Sequence, residues 1–92
     1  MYDLVVIGGG AAGFFTAINA ADLNPKLKVL ILEKNNEPLQ KVKVSGGGRC
    51  NVTHHCYEPD LLIKNYPRGE AFLLEPFQRF GPKETVSWFS TR

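Results

Sequence analysis

The sequence has little cysteine, no long apolar run and almost no excess charge. Its two cysteines among 92 residues are too few for a disulfide scaffold, and in a reducing compartment they would be free thiols. No apolar run reaches the roughly 18 residues that would indicate a membrane span. The N-terminus also lacks the basic start and long apolar core of a secretory signal. These absences predict a cytoplasmic protein that does not act in a membrane.

The charge balance gives no sign of a nucleic-acid partner. Eleven basic and nine acidic residues leave a net charge of +2, and Lys and Arg are scattered rather than gathered on one face. An apolar content of 43% and a charged content of 22% are typical of a globular protein. We therefore expect no nucleic-acid partner, while the oligomeric state is left open.

The length allows one domain at most, and it falls below the commonest domain size of roughly 100 to 150 residues. Two runs have the composition of buried parallel strands, and a sheet of that kind exposes its faces unless further strands and helices cover them. The sequence therefore predicts that residues 1–92 are the N-terminal part of a longer domain.

Residues 2–33 have the pattern of a βαβ unit. Residues 4–7 and 29–32 are short apolar runs, as expected of parallel strands buried on both faces. Residues 11–23 between them predict a helix that ends at Asn24 because proline follows. This helix has a small-residue face that would let it lie close to the sheet, formed by Gly13, Ala17 and Ala20.

A Gly-x-Gly-x-x-Gly pattern follows the first predicted strand and opens the predicted helix. Gly8 permits a tight turn, Gly10 lets the backbone approach a pyrophosphate, and Gly13 allows the helix to pack closely on the strand. The phosphates would meet free N–H groups at the positive end of the helix dipole. The pattern predicts a dinucleotide-binding loop made of Gly8, Gly9, Gly10, Ala11, Ala12 and Gly13.

Glu33 lies twenty residues past Gly13 at the predicted end of the second strand. A carboxylate in this place can accept hydrogen bonds from ribose hydroxyls, and it would repel a 2′-phosphate. The pattern therefore favours FAD or NAD over NADP. A flexible turn followed by a solvated acid is the alternative, but the ordered succession of strand, loop, helix, strand and acid argues against it.

A second glycine cluster occupies residues 45–51, in what we expect to be a long loop. Consecutive small residues can turn several backbone N–H groups towards an anion, and Lys41, Lys43 and Arg49 add positive charge. Such a loop suits a phosphate or the edge of a flavin, where positive charge stabilises the reduced ring. A surface turn is the alternative. The candidate cofactor-binding residues of this cluster are Lys41, Ser45, Gly46, Gly47, Gly48, Arg49, Cys50 and Asn51, and Lys34, next to Glu33, is a further candidate.

The rest of the sequence predicts short helices. We expect a helix over residues 60–64, a turn at 67–69, and a helix over 70–80 that is bent or interrupted at Pro76. A last helix begins at Pro82, which suits the first helical position. Its apolar stripe contains Val86 and Phe89, and four aromatic residues are expected in the core, namely Phe77, Phe80, Trp88 and Phe89.

Together, residues 5–13, 32–34 and 45–53 resemble the N-terminus of the BaiN-type NAD(P)/FAD-dependent oxidoreductases, and residues 65–67 and 77–89 are similar to the stretch that follows there. Members of that family are labelled conserved flavoproteins, aminoacetone oxidases and bile-acid dehydro-reductases. The resemblance implies a protein of about 400 residues whose FAD domain is completed by C-terminal segments. The fold class is thus α/β, the N-terminal βαβ portion of a Rossmann-like FAD-binding domain followed by a glycine-rich loop and short helices.

The resemblance also implies what each motif binds. Pyrophosphate would contact Gly8, Gly10 and Gly13, ribose would contact Glu33, and the flavin would contact Lys41 and residues 45–51. Lys41 departs from the family, in which arginine is common, and lysine keeps the charge without the bidentate fork.

The function implied is hydride transfer between FAD and an organic substrate, with NAD(P)H as a candidate electron donor. No catalytic acid or base is assigned, and Arg49 is the candidate for a group that influences the flavin. The 92-residue piece by itself is expected to be inactive.

Two alternatives concern the function. The first is an NAD-dependent dehydrogenase that uses the same glycine loop. The second is a nucleotide-binding module of an RNA-modifying assembly, similar to flavoproteins of the glucose-inhibited-division type, which lack the Ser-Gly-Gly-Gly-Arg-Cys-Asn pattern.

Two further alternatives concern the cysteines. A redox disulfide between Cys50 and Cys56 resembles the flavin disulfide reductases, but those enzymes place four residues between their cysteines where this chain has five. A metal site is not expected, because these cysteines with His54 and His55 lack the usual ligand spacing.

Overall fold

The structure is a computed structural model that describes residues 1–48 and 51–92. The chain forms two compact units, Met1–Val52 and Thr53–Arg92. The first contains β1 (Leu4–Ile7), α1 (Ala11–Leu23), β2 (Val29–Leu32), α2 (Gln40–Val44) and a 3-10 turn (Ser45–Gly48). The second contains α3 (Pro59–Leu62), a 3-10 turn (Ile63–Asn65), α4 (Glu70–Arg79) and α5 (Pro82–Ser90). The predicted α/β class and the predicted bounds of β1, α1 and β2 are confirmed.

The sheet of the first unit is a parallel pair. Leu4 aligns with Val29 and Ile7 with Leu32, with the two intervening pairs in the same register. Asp3 joins the beginnings of the strands, because its N–H donates to the Lys28 carbonyl and its Oδ2 accepts the Lys28 N–H at 2.9 Å. Both strands therefore end at the same edge of the sheet.

Helix α1 covers one face of this sheet. Gly13 lies against Val6, and Ala17 is buried. The opposite face of β1 is exposed, since Val5 and Ile7 keep 45% and 78% of their accessible surface. The expectation of strands buried on both faces is therefore wrong for these residues. An apolar strand of this kind is buried on both faces only if a layer packs on each face of the sheet. Among the described residues of this unit, α1 packs on one face and leaves the other exposed.

The segment after β2 is more regular than expected. Instead of one long loop, the chain forms α2 and runs directly into the 3-10 turn Ser45–Gly48. Leu39 adopts a left-handed conformation (φ 57°) at the N-cap of α2, and its carbonyl accepts the Lys43 N–H at 3.0 Å. No glycine or proline interrupts residues 40–44, so the helical hydrogen bonds can form.

The second unit has Leu62 and Ile63 at its centre, with 1% and 7% of their surface exposed. The helix predicted over 60–64 is confirmed as α3 and its 3-10 extension, beginning one residue earlier. Of the bend or interruption predicted at Pro76, the interruption is absent, because α4 continues through this residue, and the bend stays a prediction. Proline fixes φ near the helical value, so the helix can continue, but the missing N–H and the ring's clash with the preceding turn make the helix less stable.

Pro82 begins α5 as predicted and is buried. Glu84 stabilises this end, since its Oε1 accepts the Gly81 N–H at 2.8 Å. The predicted core is partly wrong, because Phe80 and Phe89 are 39% and 55% exposed.

The covered side of α5 differs from the predicted stripe. Pro82 is buried and Thr85 and Trp88 are half-buried, at three-residue spacing, whereas Val86 and Phe89 are exposed. Phe77 is half-buried, and its ring lies 5.6 Å from the ring of Tyr66.

Among the helices in the described ranges, none is long and apolar enough to cross a membrane. The cytoplasmic location stays a prediction.

Candidate functional site

The first glycine loop begins as a direct continuation of the sheet. The Gly8 N–H donates to the Leu32 carbonyl at 2.7 Å, which extends the pairing of β1 with β2 by one bond. Gly8 then turns the chain with φ at +100°, a conformation that glycine adopts without the steric cost a Cβ would add. The turn carries the backbone from the end of β1 to the start of α1.

Gly10 is the N-cap of α1 and leaves the space in front of the helix open. A Cβ placed on Gly10 would meet no atom within 4 Å, and no acidic residue lies in the first helical turn. The first N–H groups of an α-helix have no acceptor within the helix. Residues 11–13 therefore present backbone donors, with the positive end of the helix dipole, to any anion that approaches.

Gly13 sets the distance between α1 and the loop. A Cβ on Gly13 would collide with the Gly8 carbonyl oxygen and would lie 3.4 Å from Val6 Cγ1. The structure thus agrees with the packing role that the glycine pattern predicted for this position.

Glu33 lies beside the loop, at the end of β2. Its Oε1 accepts the Gly9 N–H at 2.8 Å, and its Oε2 accepts the Asn35 N–H at 2.8 Å. The hydrogen bonds from Asn35 and Gly9 hold the pKa of the Glu33 carboxyl below its ordinary value, desolvation opposes them, and the charge of Lys34 lowers this pKa by a smaller amount. The carboxylate is therefore negatively charged at neutral pH.

Gly9 is the junction of three segments, which the sequence pattern did not reveal. Its N–H binds Glu33, and its carbonyl accepts the Leu39 N–H at 2.7 Å. A Cβ on Gly9 would lie 3.1 Å from Glu33 Cβ and 3.3 Å from Pro38 Cβ. The available signal was topological, because residues that follow neighbouring parallel strands meet at one edge of the sheet.

The second glycine cluster is only partly described. Gly46 and Gly47 adopt consecutive left-handed conformations with φ of 60° and 66°. The Ser45 hydroxyl donates to the Val42 carbonyl at 2.7 Å, and the Asn51 carbonyl lies farther from the same hydroxyl oxygen, at 3.4 Å. Arg49 and Cys50, two of the predicted flavin contacts, lie outside the described residues.

The lysines near this cluster are not equivalent. Lys34 and Lys41 are exposed, whereas Lys43 Nζ pairs with Glu37 Oε2 at 3.2 Å. Both side chains of this pair are largely exposed, so the pairing is weak, and the contribution of Lys43 to the positive charge around the second cluster stays a prediction. Lys41 and Lys34 remain the lysine candidates from the sequence.

The parallel βαβ unit with its glycine loop is the geometry of a Rossmann domain, and the family comparison identifies the same kind of domain. The family model of the HI0933-like protein Rossmann domain matches residues 2–92. The chain belongs to the HI0933-like family. Membership confirms the resemblance to the BaiN-type flavoprotein oxidoreductases and the Rossmann-like fold.

Three curated relatives of this HI0933-like chain are oxidoreductases or RNA-modifying enzymes by name. It is 33% identical over 91 residues to a 3-dehydro-bile acid delta(4,6)-reductase of Clostridium scindens, covering 99% of the chain and 22% of the relative. It is 36% identical over 66 residues to the ribosomal RNA dihydrouridine synthase of Escherichia coli, covering 72% and 16%. It is 33% identical over 73 residues to a fumarate reductase flavoprotein subunit of a Serratia species, covering 79% and 12%.

The chain therefore spans less than a quarter of the length of these relatives. No solved structure is significantly similar to it. The reductase and flavoprotein names do not favour the two alternative functions, an NAD-dependent dehydrogenase or a non-redox nucleotide-binding module.

The cysteines and histidines of the HI0933-like chain form no described site. Cys56 is a half-buried free thiol, and the ring of His55 lies 5.2 Å from that of Tyr57. Within residues 1–48 and 51–92, no three potential metal ligands come together. The redox-disulfide alternative also requires Cys50, which the structure does not describe.

Proposed function

We propose that this chain binds the ADP portion of FAD in a flavoprotein oxidoreductase, at the edge of the sheet where β1 and β2 end. The observation that carries the proposal is the ionised Glu33 carboxylate beside a glycine loop that opens a helix. The positive N-terminus of the helix would bind the pyrophosphate, and the negative carboxylate would accept hydrogen bonds from the ribose hydroxyls of an adenosine diphosphate.

The pyrophosphate would lie over Gly10, at the start of α1. No protein atom lies within 4 Å of the position that a Cβ on Gly10 would occupy. Phosphate oxygens can therefore reach the backbone N–H groups of residues 11–13. A helix start without an acidic residue adds no repulsion to a dianion.

The adenosine ribose would contact Glu33. Each carboxylate oxygen accepts one backbone N–H and has a lone pair left for a hydroxyl. The lowered pKa of the Glu33 carboxyl keeps it an acceptor at neutral pH, and its charge disfavours a 2′-phosphate.

The second glycine cluster and Lys41 would contact the flavin ring, while Lys34 is a cofactor-binding candidate next to Glu33. Support comes from the paired left-handed conformations of Gly46 and Gly47, because a turn of this kind can direct successive N–H groups to one side. Arg49, Cys50 and Asn51 complete the proposed contacts on the basis of the family resemblance.

The bound flavin would supply hydride exchange, and these residues would bind and orient it. We propose a small organic substrate and NAD(P)H as electron donor, in line with relatives named for reductions. RNA is a second candidate substrate, favoured by the relative named for dihydrouridine synthesis in ribosomal RNA.

Residues 1–92 are proposed to be the N-terminal part of an FAD-binding domain in a protein of about 410 residues, the length at which 91 matched residues make up 22% of a relative. The exposed face of β1 supports this, since a parallel sheet is ordinarily covered on both faces. The 92 residues alone are therefore expected to bind FAD weakly and to lack activity.

The test is to purify the full-length protein that contains this segment and to analyse the cofactor released on denaturation. Stoichiometric FAD supports the proposal, and a colourless protein that binds NAD overturns it. Gly10→Ala is the informative variant, because the structure has room for its methyl group but the pyrophosphate would lose its close approach. It should fold and lose most of its FAD, while Gly69→Ala in the second unit should retain it.

A further inference from the structure

The Glu33 carboxylate makes two bonds that ribose binding does not require. Its Oε1 accepts the N–H of Gly9, which lies 24 residues earlier in the chain, and its Oε2 accepts the N–H of Asn35. An ionised acceptor forms stronger hydrogen bonds than a neutral one. The acid thus ties the first glycine loop to the turn that follows β2.

Gly9 extends this connection to a third segment. Its carbonyl accepts the Leu39 N–H at 2.7 Å, and the Leu39 carbonyl accepts the Lys43 N–H of α2 at 3.0 Å. Leu39 is held in a left-handed conformation that is unfavourable for a residue with a Cβ. Such a conformation persists where surrounding bonds determine it, and the bond to Gly9 is one of them.

We infer that Glu33 is a positioning residue that fixes the first glycine loop and, through Gly9, the start of α2. The arrangement goes beyond the proposed cofactor function, because it forms in the protein alone and does not depend on which dinucleotide binds. Since α2 leads directly into the turn Ser45–Gly48, the same carboxylate would set where both glycine clusters lie.

Amide hydrogen exchange of ¹⁵N-labelled protein, without cofactor, tests this inference. In Glu33→Gln, exchange at Gly9 and at Leu39 should both accelerate by about tenfold or more, since a neutral amide loses the charge and offers one acceptor oxygen instead of two. Glu37→Gln is the matched control, because Glu37 pairs with the Lys43 side chain instead, and it should leave both amides within about twofold. Unchanged exchange at Gly9 overturns the inference. Acceleration at Gly9 alone overturns its extension to α2.

A second measurement needs no variant and covers the case in which Glu33→Gln does not fold. In the unsubstituted protein, the amide chemical shifts of Gly9, Asn35 and Leu39 should titrate together on acidification, with one midpoint below the ordinary value for glutamate. A Gly9 amide that does not follow the midpoint of Asn35 would contradict the role of the carboxylate.

Discussion

Gly13 lies so close to the carbonyl oxygen of Gly8 that a methyl group on its α carbon would overlap that oxygen. The same methyl group would lie 3.4 Å from Val6 Cγ1. The third glycine of the pattern therefore keeps α1 against the end of β1, whether or not a ligand is bound.

Substitution of Gly13 by alanine should lower the free energy of unfolding by about 1–3 kcal/mol, because the helix must shift away from the loop. Urea unfolding of the cofactor-free protein, followed by circular dichroism, measures the loss without any contribution from bound FAD. Gly10→Ala is the control, since it adds the same methyl group in open space, and it should cost less than about 1 kcal/mol. Equal losses at the two positions would argue against the contact.

Gly8→Ala isolates the cost of backbone conformation. A Cβ added to Gly8 or to Gly10 would meet no atom within 4 Å. The two glycines differ in backbone conformation, with φ at +100° for Gly8 and −93° for Gly10. We expect Gly8→Ala to cost on the order of 1–3 kcal/mol more than Gly10→Ala. The same urea titrations decide this, and a difference below the error of the fits contradicts it.

The dependence of stability on pH should report the state of Glu33. Hydrogen bonds from Asn35 and Gly9 lower the pKa of this carboxyl in the folded protein. Its contribution to stability is therefore complete above the pKa of unfolded glutamate, about 4.3, and is lost as the pH falls through the lower folded value. Unfolding titrations of the protein and of Glu33→Gln should converge over this acidic range, and a gap that widens there would refute the assignment.

Discrimination against a 2′-phosphate tests the proposed ribose contact. In full-length protein stripped of its cofactor, ADP should compete with FAD at least about tenfold better than 2′-phosphorylated ADP, a difference of about 1.4 kcal/mol. Glu33→Gln should narrow the difference and Glu37→Gln should preserve it. The absorbance of the flavin that binds in the presence of each nucleotide measures the competition. Equal inhibition by both nucleotides would contradict the proposed contact between Glu33 and the ribose.

Pro76 lies inside α4 and cannot donate to the carbonyl four residues earlier. Pro76→Ala supplies that N–H, and we expect the second unit to gain about 1–2 kcal/mol after the greater freedom of the unfolded chain is subtracted. Pro82→Ala is the contrasting variant, because the first helical residue needs no such bond and Pro82 is buried, so it should bring no gain. A Pro76→Ala protein that melts at the original temperature would contradict the expectation.

The parts of the fold that the sequence predicted are those decided by local signals. Strand β1 is an unbroken apolar run, α1 follows a glycine pattern, and Pro25 fixes where α1 ends. Each signal acts within a few residues, and no competing contact overrides it.

The parts that it did not predict depend on contacts between distant residues. Leucine has no preference for the left-handed conformation that Leu39 adopts. The hydrogen bond that accompanies it joins the Leu39 N–H to the carbonyl of Gly9, which lies 30 positions earlier. The exposure of Ile7 and Phe89 likewise depends on what packs against them, which composition alone does not specify. The role of Glu33 was predicted as a ligand contact, whereas its bond to Gly9 emerged only from the geometry.

The register of the sheet also has a kinetic meaning. Every pair between β1 and β2 joins residues 25 positions apart, from Leu4 with Val29 to Ile7 with Leu32. The intervening chain must close before any of these pairs forms, and closure is less costly once α1 has shortened it. We expect the helix to form before the strands meet, so that Glu33 reaches Gly9 only when the last pair is in place. The proposed nucleotide site would then be among the last features of this unit to assemble, and the first to be lost when the strand ends fray.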